Sequence, residues 1–125
     1  MKIVRFIPIC FLFFTACNPS VSQEAQPITG FKPEARPDAV LIDVRTPEEF
    51  AEGHVPGAEN INLFDEDFAQ RFAKFDKKET IYVYCRSGNR STKAQQALKK
   101  LGYTRVVNLK GGFLAWEAAG KPVEK

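Results

Sequence analysis

Residues 85–91 read Cys85-Arg86-Ser87-Gly88-Asn89-Arg90-Ser91, placing one thiol, two guanidinium groups and a glycine in a single short stretch. A thiol attacks as its thiolate, and a free cysteine is only partly ionised at neutral pH because its pKa is about 8.5. Gly88 permits a tight bend in which successive backbone amides point inward as an anion nest. Arg86 and Arg90 add full positive charge beside it. The same donors that favour a thiolate can hold the anion it attacks. Cys85 is therefore the candidate nucleophile, and Arg86, Ser87, Gly88, Asn89, Arg90 and Ser91 are the candidate binding group. A cysteine ending a buried strand is often an inert small hydrophobe. An inert thiol, however, needs no anion nest.

The flanking elements must place this stretch. Thr80-Ile81-Tyr82-Val83-Tyr84 is rich in β-branched and aromatic residues and predicts a strand running straight into Cys85. Ala94, Ala97, Leu98 and Leu101 share one helical face, and Gly102 is a natural stop. Cys85 thus lies between a strand's carboxyl end and a helix N-terminus, where unpaired amides and the helix dipole favour an anion. Ala39-Val40-Leu41-Ile42 is a short continuous apolar run, the pattern of a strand buried on both faces. Thr46 as N-cap, Pro47 at the first helical position and Glu49 as the third member of a capping box predict a short helix ending near Gly53. Residues 60–63 suggest a short strand, 106–109 another, and 113–119 a last helix stopped by Gly120. Phe64, Phe68, Phe72 and Phe75 recur at helical spacing and predict a core-facing stripe. Strands alternating with helices imply an α/β fold, a mostly parallel central sheet flanked by helices on both faces.

Four ordered segments carry a family resemblance. They are residues 42–58 (Ile42-Asp43-Val44-Arg45-Thr46-Pro47-Glu48-Glu49-Phe50 on to Gly53-His54-Val55-Pro56-Gly57-Ala58), the strand Tyr82-Val83-Tyr84-Cys85, the loop with Arg90 and Ser91 after four intervening residues, and Leu109-Lys110-Gly111-Gly112-Phe113-Leu114-Ala115-Trp116. Together they resemble the rhodanese domains over about residues 38–123. A lone cysteine–arginine spacing would be weak, but four segments in order are specific. The resemblance implies a rhodanese-like fold and a sulfurtransferase that needs no metal or organic cofactor. In that mechanism the Cys85 thiolate takes the outer sulfur of thiosulfate or a related small anionic donor, carries it as a persulfide and passes it to a thiol or cyanide acceptor. Arg86 and Arg90 would position the donor, and the rest of the loop would contribute mainly amides. A related phosphatase group has one more residue between Cys and Arg, so the spacing here argues against phosphate ester hydrolysis. A partner-dependent persulfide carrier or redox sensor uses the same thiolate and stays open. A non-catalytic binding module of the same fold is the other alternative, although such modules usually lose the cysteine.

Other residues receive quieter expectations. Asp43 and Arg45, at the end of the first apolar strand, are supporting residues, with Asp43 fixing nearby amides through hydrogen bonds. Glu49 is expected to act as a cap. His54, the single histidine, is expected to be a satisfied turn residue. Tyr82, Tyr84 and Trp116 are expected in the core, and Gly111-Gly112 at a turn where a helix starts. No cluster has metal-ligand spacing.

The chain has 125 residues, enough for one domain. Residues 1–16 read as a bacterial lipoprotein signal peptide: Lys2 and Arg5, then an apolar run over 6–14, then Phe14-Thr15-Ala16-Cys17, which resembles a lipobox. The run is shorter than the roughly 20 apolar residues of a spanning helix. Cys17 would be lipidated and would tether the protein to a membrane of the cell envelope, facing the periplasm or exterior. Removing the signal leaves 16 basic and 15 acidic side chains, a balance that gives no pull toward nucleic acid. Cys10 leaves with the signal and Cys17 takes the lipid, so Cys85 has no disulfide partner. Residues 17–37, with Pro19, Pro27, Pro33 and Pro37, read as a lipidated N-terminus and extended tether, leaving the domain at 38–125; docking of 28–36 on the domain stays open. A monomer is the default for a tethered domain of this size.

Overall fold

The computed structural model describes residues 24–125, together with Ile3. Five strands form one sheet: β1 (Ala25–Pro27), β2 (Val40–Asp43), β3 (Glu59–Asn60), β4 (Thr80–Tyr84) and β5 (Arg105–Lys110). Every pairing is parallel, and the order is β1-β5-β4-β2-β3. Among the described residues four α-helices, α1 (Pro47–Glu52), α2 (Phe68–Arg71), α3 (Asn89–Lys100) and α4 (Gly112–Ala118), and two short 3-10 turns at Ile28–Gly30 and Pro33–Ala35 complete the fold. This is the α/β architecture that alternating elements predict, with β4 and β2 central because their short apolar runs bury both faces.

The strand period of two sorts β4 between two cores. Ile81 and Val83 point into a cluster with Ile42, Phe72, Ala94 and Leu98, under α2 and α3. Tyr82 and Tyr84 point into the opposite cluster with Ile28, Phe31, Leu41, Phe113 and Trp116, against α4. Tyr82, Tyr84 and Trp116 are buried, as the sequence suggests. At such positions full burial of a large apolar side chain stabilises by roughly 1.5–3 kcal/mol. The capping box of α1 forms: Glu49 N–H donates to Thr46 Oγ1 at 3.3 Å, and Thr46 N–H donates to Glu49 Oε1 at 3.4 Å.

Two expectations need correction. The domain begins with the sheet strand β1, not at residue 38. Asn108 N–H donates to Glu24 O at 2.9 Å, and Gln95 Nε2 donates to the same carbonyl at 2.7 Å. Ile28 and Phe31 then fill the core over α4, at 0% and 3% exposure. Proline is compatible with this, because Pro27 lies on an edge strand where a missing N–H is tolerated. The second correction concerns the phenylalanine stripe. Phe68 and Phe72 are buried, Phe75 is partly buried, but Phe64 is 67% exposed. The Asn62 side chain accepts Phe64 N–H at 3.1 Å, so Phe64 sits on a turn, and α2 spans only Phe68–Arg71. The expected signal, Cys17 and the first part of the tether lie outside the described residues.

Candidate functional site

Cys85 follows β4 at the carboxyl edge of the parallel sheet, where ligands of such folds bind. Its turn is tighter than the sequence suggests. α3 begins at Asn89, so Asn89, Arg90 and Ser91 form the helix's first turn, and only Arg86, Ser87 and Gly88 bridge strand to helix. Gly88 is the N-cap residue at φ 124°, a conformation that side chains with a Cβ rarely adopt. That bend aims Gly88 N–H at Cys85 Sγ, 3.0 Å away. Ser91 Oγ lies 3.4 Å from the same sulfur.

The thiol is buried, at 1% exposure. Burial alone pushes its pKa up, and this is the largest single influence; the Ser91 hydroxyl and the amides of Ser91, Gly88 and Ser87 together outweigh it and hold the thiol below its ordinary value. The thiolate cradle is thus built mainly from helix-start amides and one hydroxyl.

The two arginines divide. Arg86 is exposed beside the thiol. Arg90, expected to position the donor, instead clasps Glu49 in a two-pronged ion pair, with Nη1 to Oε1 at 2.6 Å and Nη2 to Oε2 at 2.9 Å. Glu49 is therefore more than a cap. It ties α1 to the nucleophile turn, and the Arg90 guanidinium holds its carboxyl at about 2 despite partial burial.

Asp43 and Arg45 form a buried pair. Asp43 accepts from Arg45 N–H at 2.9 Å, from Nε at 3.0 Å and from Nη2 at 2.7 Å. Arg45 Nη2 also donates to Gly53 O at 2.7 Å, and its guanidinium lies 4.4 Å from the Phe113 ring centroid. Through Arg45 the pair links the end of α1 at Gly53 to Phe113 on α4. His54 is satisfied at its turn, its Nδ1 being 2.9 Å from Phe50 O and its ring stacked on Phe50.

Two features of the site escape sequence reading. α4 clamps the nucleophile's backbone: Phe113 N–H donates to Cys85 O at 2.8 Å and Leu114 N–H to Arg86 O at 3.1 Å. Gly112 permits that approach, since a Cβ there would lie 2.4 Å from Cys85 O. The glycine pair was the available signal. The second is a polar chain behind the turn, from Asn108 on β5 through Thr92 to Gly88 O, which no local pattern announces. Among the described residues, no three His, Cys, Asp or Glu side chains converge as a metal site. The cavity of about 550 Å³ between Phe31, Leu41 and Trp116 touches no residue of the nucleophile turn.

A parallel sheet with a cysteine in an amide cradle at its carboxyl edge defines a class, and comparison with known proteins gives it a family. The Rhodanese-like domain model matches residues 32–119. A sulfurtransferase of Allochromatium vinosum is 41% identical over 86 residues, covering 69% of this chain and 78% of that protein. Thiosulfate sulfurtransferase 16 of Arabidopsis thaliana, a chloroplast protein, is 38% identical over 93 residues, covering 66% of this chain and 78% of its own. The solution structure of a rhodanese-like domain from Anabaena superposes with a TM-score of 0.71 at 30% identity, covering 80% of this chain and 77% of that one. The chain belongs to the rhodanese-like family.

Proposed function

We propose that this protein is a sulfurtransferase that moves sulfane sulfur from thiosulfate, or a donor like it, to a thiol through a Cys85 persulfide. The observation that carries this is the Cys85 sulfur accepting Gly88 N–H at 3.0 Å inside the amide cradle. The thiolate attacks the outer sulfur of thiosulfate. A Cys85–sulfur bond forms, the donor's sulfur–sulfur bond breaks, and sulfite departs with that electron pair. The terminal sulfur of the persulfide carries the negative charge, and the Ser87, Gly88 and Ser91 amides, which face Cys85 Sγ, lie next to it and favour it. An acceptor thiolate then attacks this outer sulfur, leaves as its own persulfide and restores the Cys85 thiolate. Charge and atoms balance in both halves, and no redox partner is consumed. Arg86, exposed at the mouth, supplies the attraction for a doubly charged donor; Arg90, neutralised by Glu49, contributes less. Relatives named as sulfurtransferases support the reading.

The test is thiosulfate:cyanide turnover by a soluble fragment beginning after Cys17, beside Cys85→Ser. The parent should turn over and gain about 32 Da on Cys85 after thiosulfate treatment, the mass of one added sulfur; the variant should do neither. A parent that neither turns over nor takes up sulfur would overturn the thiosulfate assignment and favour a carrier loaded by a partner protein. The same proposal places the domain at the cell envelope, lipid-anchored through Cys17 as a monomer, on the strength of the signal and lipobox pattern. Fatty-acid labelling of expressed protein should mark the parent and not Cys17→Ser.

A further inference from the structure

Ser91 Oγ stands between two acceptors that compete for one proton. It is 3.4 Å from Cys85 Sγ and 3.0 Å from Gly88 O. A hydroxyl donates once. While Cys85 is a thiol, its S–H can point to Ser91 Oγ and the Ser91 proton can go to Gly88 O. Once Cys85 ionises, the sulfur holds no proton, and Ser91 stabilises it only by turning its own proton to the sulfur. Gly88 O would then lose one of its donors, and a partly buried carbonyl left without partners is destabilised.

Two donors remain on that oxygen. Thr92 Oγ1 donates to Gly88 O at 2.8 Å, and Thr92 N–H donates to the same oxygen at 3.1 Å. A carbonyl has two lone pairs, so Thr92 alone can fill both. Thr92's hydroxyl proton is committed in that direction by Asn108, whose Nδ2 donates to Thr92 Oγ1 at 3.0 Å. Reversing the Asn108 amide would offer Thr92 an acceptor and draw its proton away from Gly88. Asn108 is buried, and its Oδ1 has no partner among the described residues.

We propose that Thr92, oriented by Asn108, is a positioning residue that keeps the Gly88 carbonyl satisfied and so frees the Ser91 hydroxyl to turn to the Cys85 sulfur whenever that sulfur is charged. The S–H proton leaves to solvent, and no other covalent bond changes. This rests on Cys85 being the nucleophile of the proposed reaction. The other charged groups around the sulfur are Arg86 on the turn, the Arg90–Glu49 pair shared with α1, and the Asp43–Arg45 pair at the end of β2; none belongs to the relay.

The experiment reads thiolate content without any sulfur donor. The full chain is alkylated with iodoacetamide across pH, and modification is followed on the Cys85 peptide by mass spectrometry. The set comprises the parent, Ser91→Ala, Thr92→Val, Thr92→Ser and the Ser91→Ala/Thr92→Val double variant. Ser91→Ala should slow alkylation at neutral pH about tenfold, as expected for loss of one charge-directed hydrogen bond. Thr92→Val should slow it severalfold with Ser91 present and have no further effect once Ser91 is gone, and Thr92→Ser should restore the parent rate. Equal effects of Thr92→Val in both backgrounds, or none in either, would overturn the proposal. Thr92→Ala replaces Thr92→Val with the same expected pattern if the valine variant lacks a cooperative thermal transition. A protein that shows this coupling yet transfers no sulfur would leave the relay standing and refute only the reaction assigned above.

Discussion

At the scale of single residues, the chemistry depends on how closely α4 approaches Cys85. Gly112 has φ 59°, and a Cβ built there would stand 2.4 Å from Cys85 O and 2.6 Å from Arg86 O. Both neighbours are backbone, so neither can swing aside. Gly112→Ala should force α4 away from the turn, lengthen the Phe113 N–H to Cys85 O bond and disorder the amide cradle. The expected result is a loss of about 2 kcal/mol or more in unfolding free energy, the scale of steric mutations at special backbone positions, with sulfur uptake by Cys85 falling much further than helix content. Urea unfolding and circular dichroism measure the first, and mass spectrometry of the thiosulfate-treated protein the second. An alanine variant with parental sulfur uptake would show that the clamp is dispensable. The grouping of Cys85, Gly88 and Arg86 in one turn was legible in the sequence because an anion nest needs adjacent residues, whereas the pairing of Arg90 with Glu49 was not. Gly112 was visible only as a turn, and Thr92 and Asn108 not at all, since their roles depend on a strand and a helix brought together from different parts of the chain.

At the scale of elements, α1 and α3 meet through one ion pair. Glu49 has a double task, capping α1 through Thr46 and pairing with Arg90 at 2.6 Å on the first turn of α3. The first task could be read from Thr46-Pro47-Glu48-Glu49, because a capping box is local. The second spans residues far apart in sequence and needed the fold. Pairing lowers the Glu49 pKa from 4.5 to about 2, so the folded state holds this proton less readily than the unfolded chain. The stabilisation is therefore complete above about pH 4.5 and is lost as pH falls toward about 2. Glu49→Gln keeps an oxygen for the cap and removes the charge. It should be less stable than the parent by about 1 kcal/mol at neutral pH, a modest figure because the pair is partly exposed to screening solvent. The difference should shrink toward zero as pH drops through the window, which denaturant midpoints of both proteins at matched pH would reveal. A gap that stays constant down to pH 2 would mean the pair contributes through packing and not through charge.

At the scale of the whole molecule, what the sequence presents as a tether is partly a wall of the domain. Strand and helix signals from Val40 onward were strong, since apolar runs and caps are short-range, and they placed β2, α1, β4, α3, β5 and α4; the strand expected at 60–63 forms instead at Glu59–Asn60, and the phenylalanine stripe yields only the short α2. The stretch before them carries prolines and polar residues that mask two anchors three positions apart, Ile28 and Phe31, both buried against α4. Their burial pattern follows from a surface that the rest of the chain must first create. β1 also covers the outer edge of β5, pairing Ala25 with Asn108 and Pro27 with Lys110, and Glu24 O receives Gln95 on α3. A fragment beginning at Asp38 would therefore lose two core side chains and expose a strand edge of the kind that seeds association. Within the intact chain, Ile28→Ala alone should cost about 2–5 kcal/mol, a large share of the 5–15 kcal/mol typical of a domain. The 38–125 fragment should fall further, lacking a cooperative urea transition or eluting as aggregate in size-exclusion chromatography. Because β5 also carries Asn108, which orients Thr92 behind the nucleophile turn, loss of the edge strand should reach the site as well. A 38–125 fragment that unfolds cooperatively, elutes as a monomer and alkylates at Cys85 like the full chain would return residues 24–37 to the status of a linker.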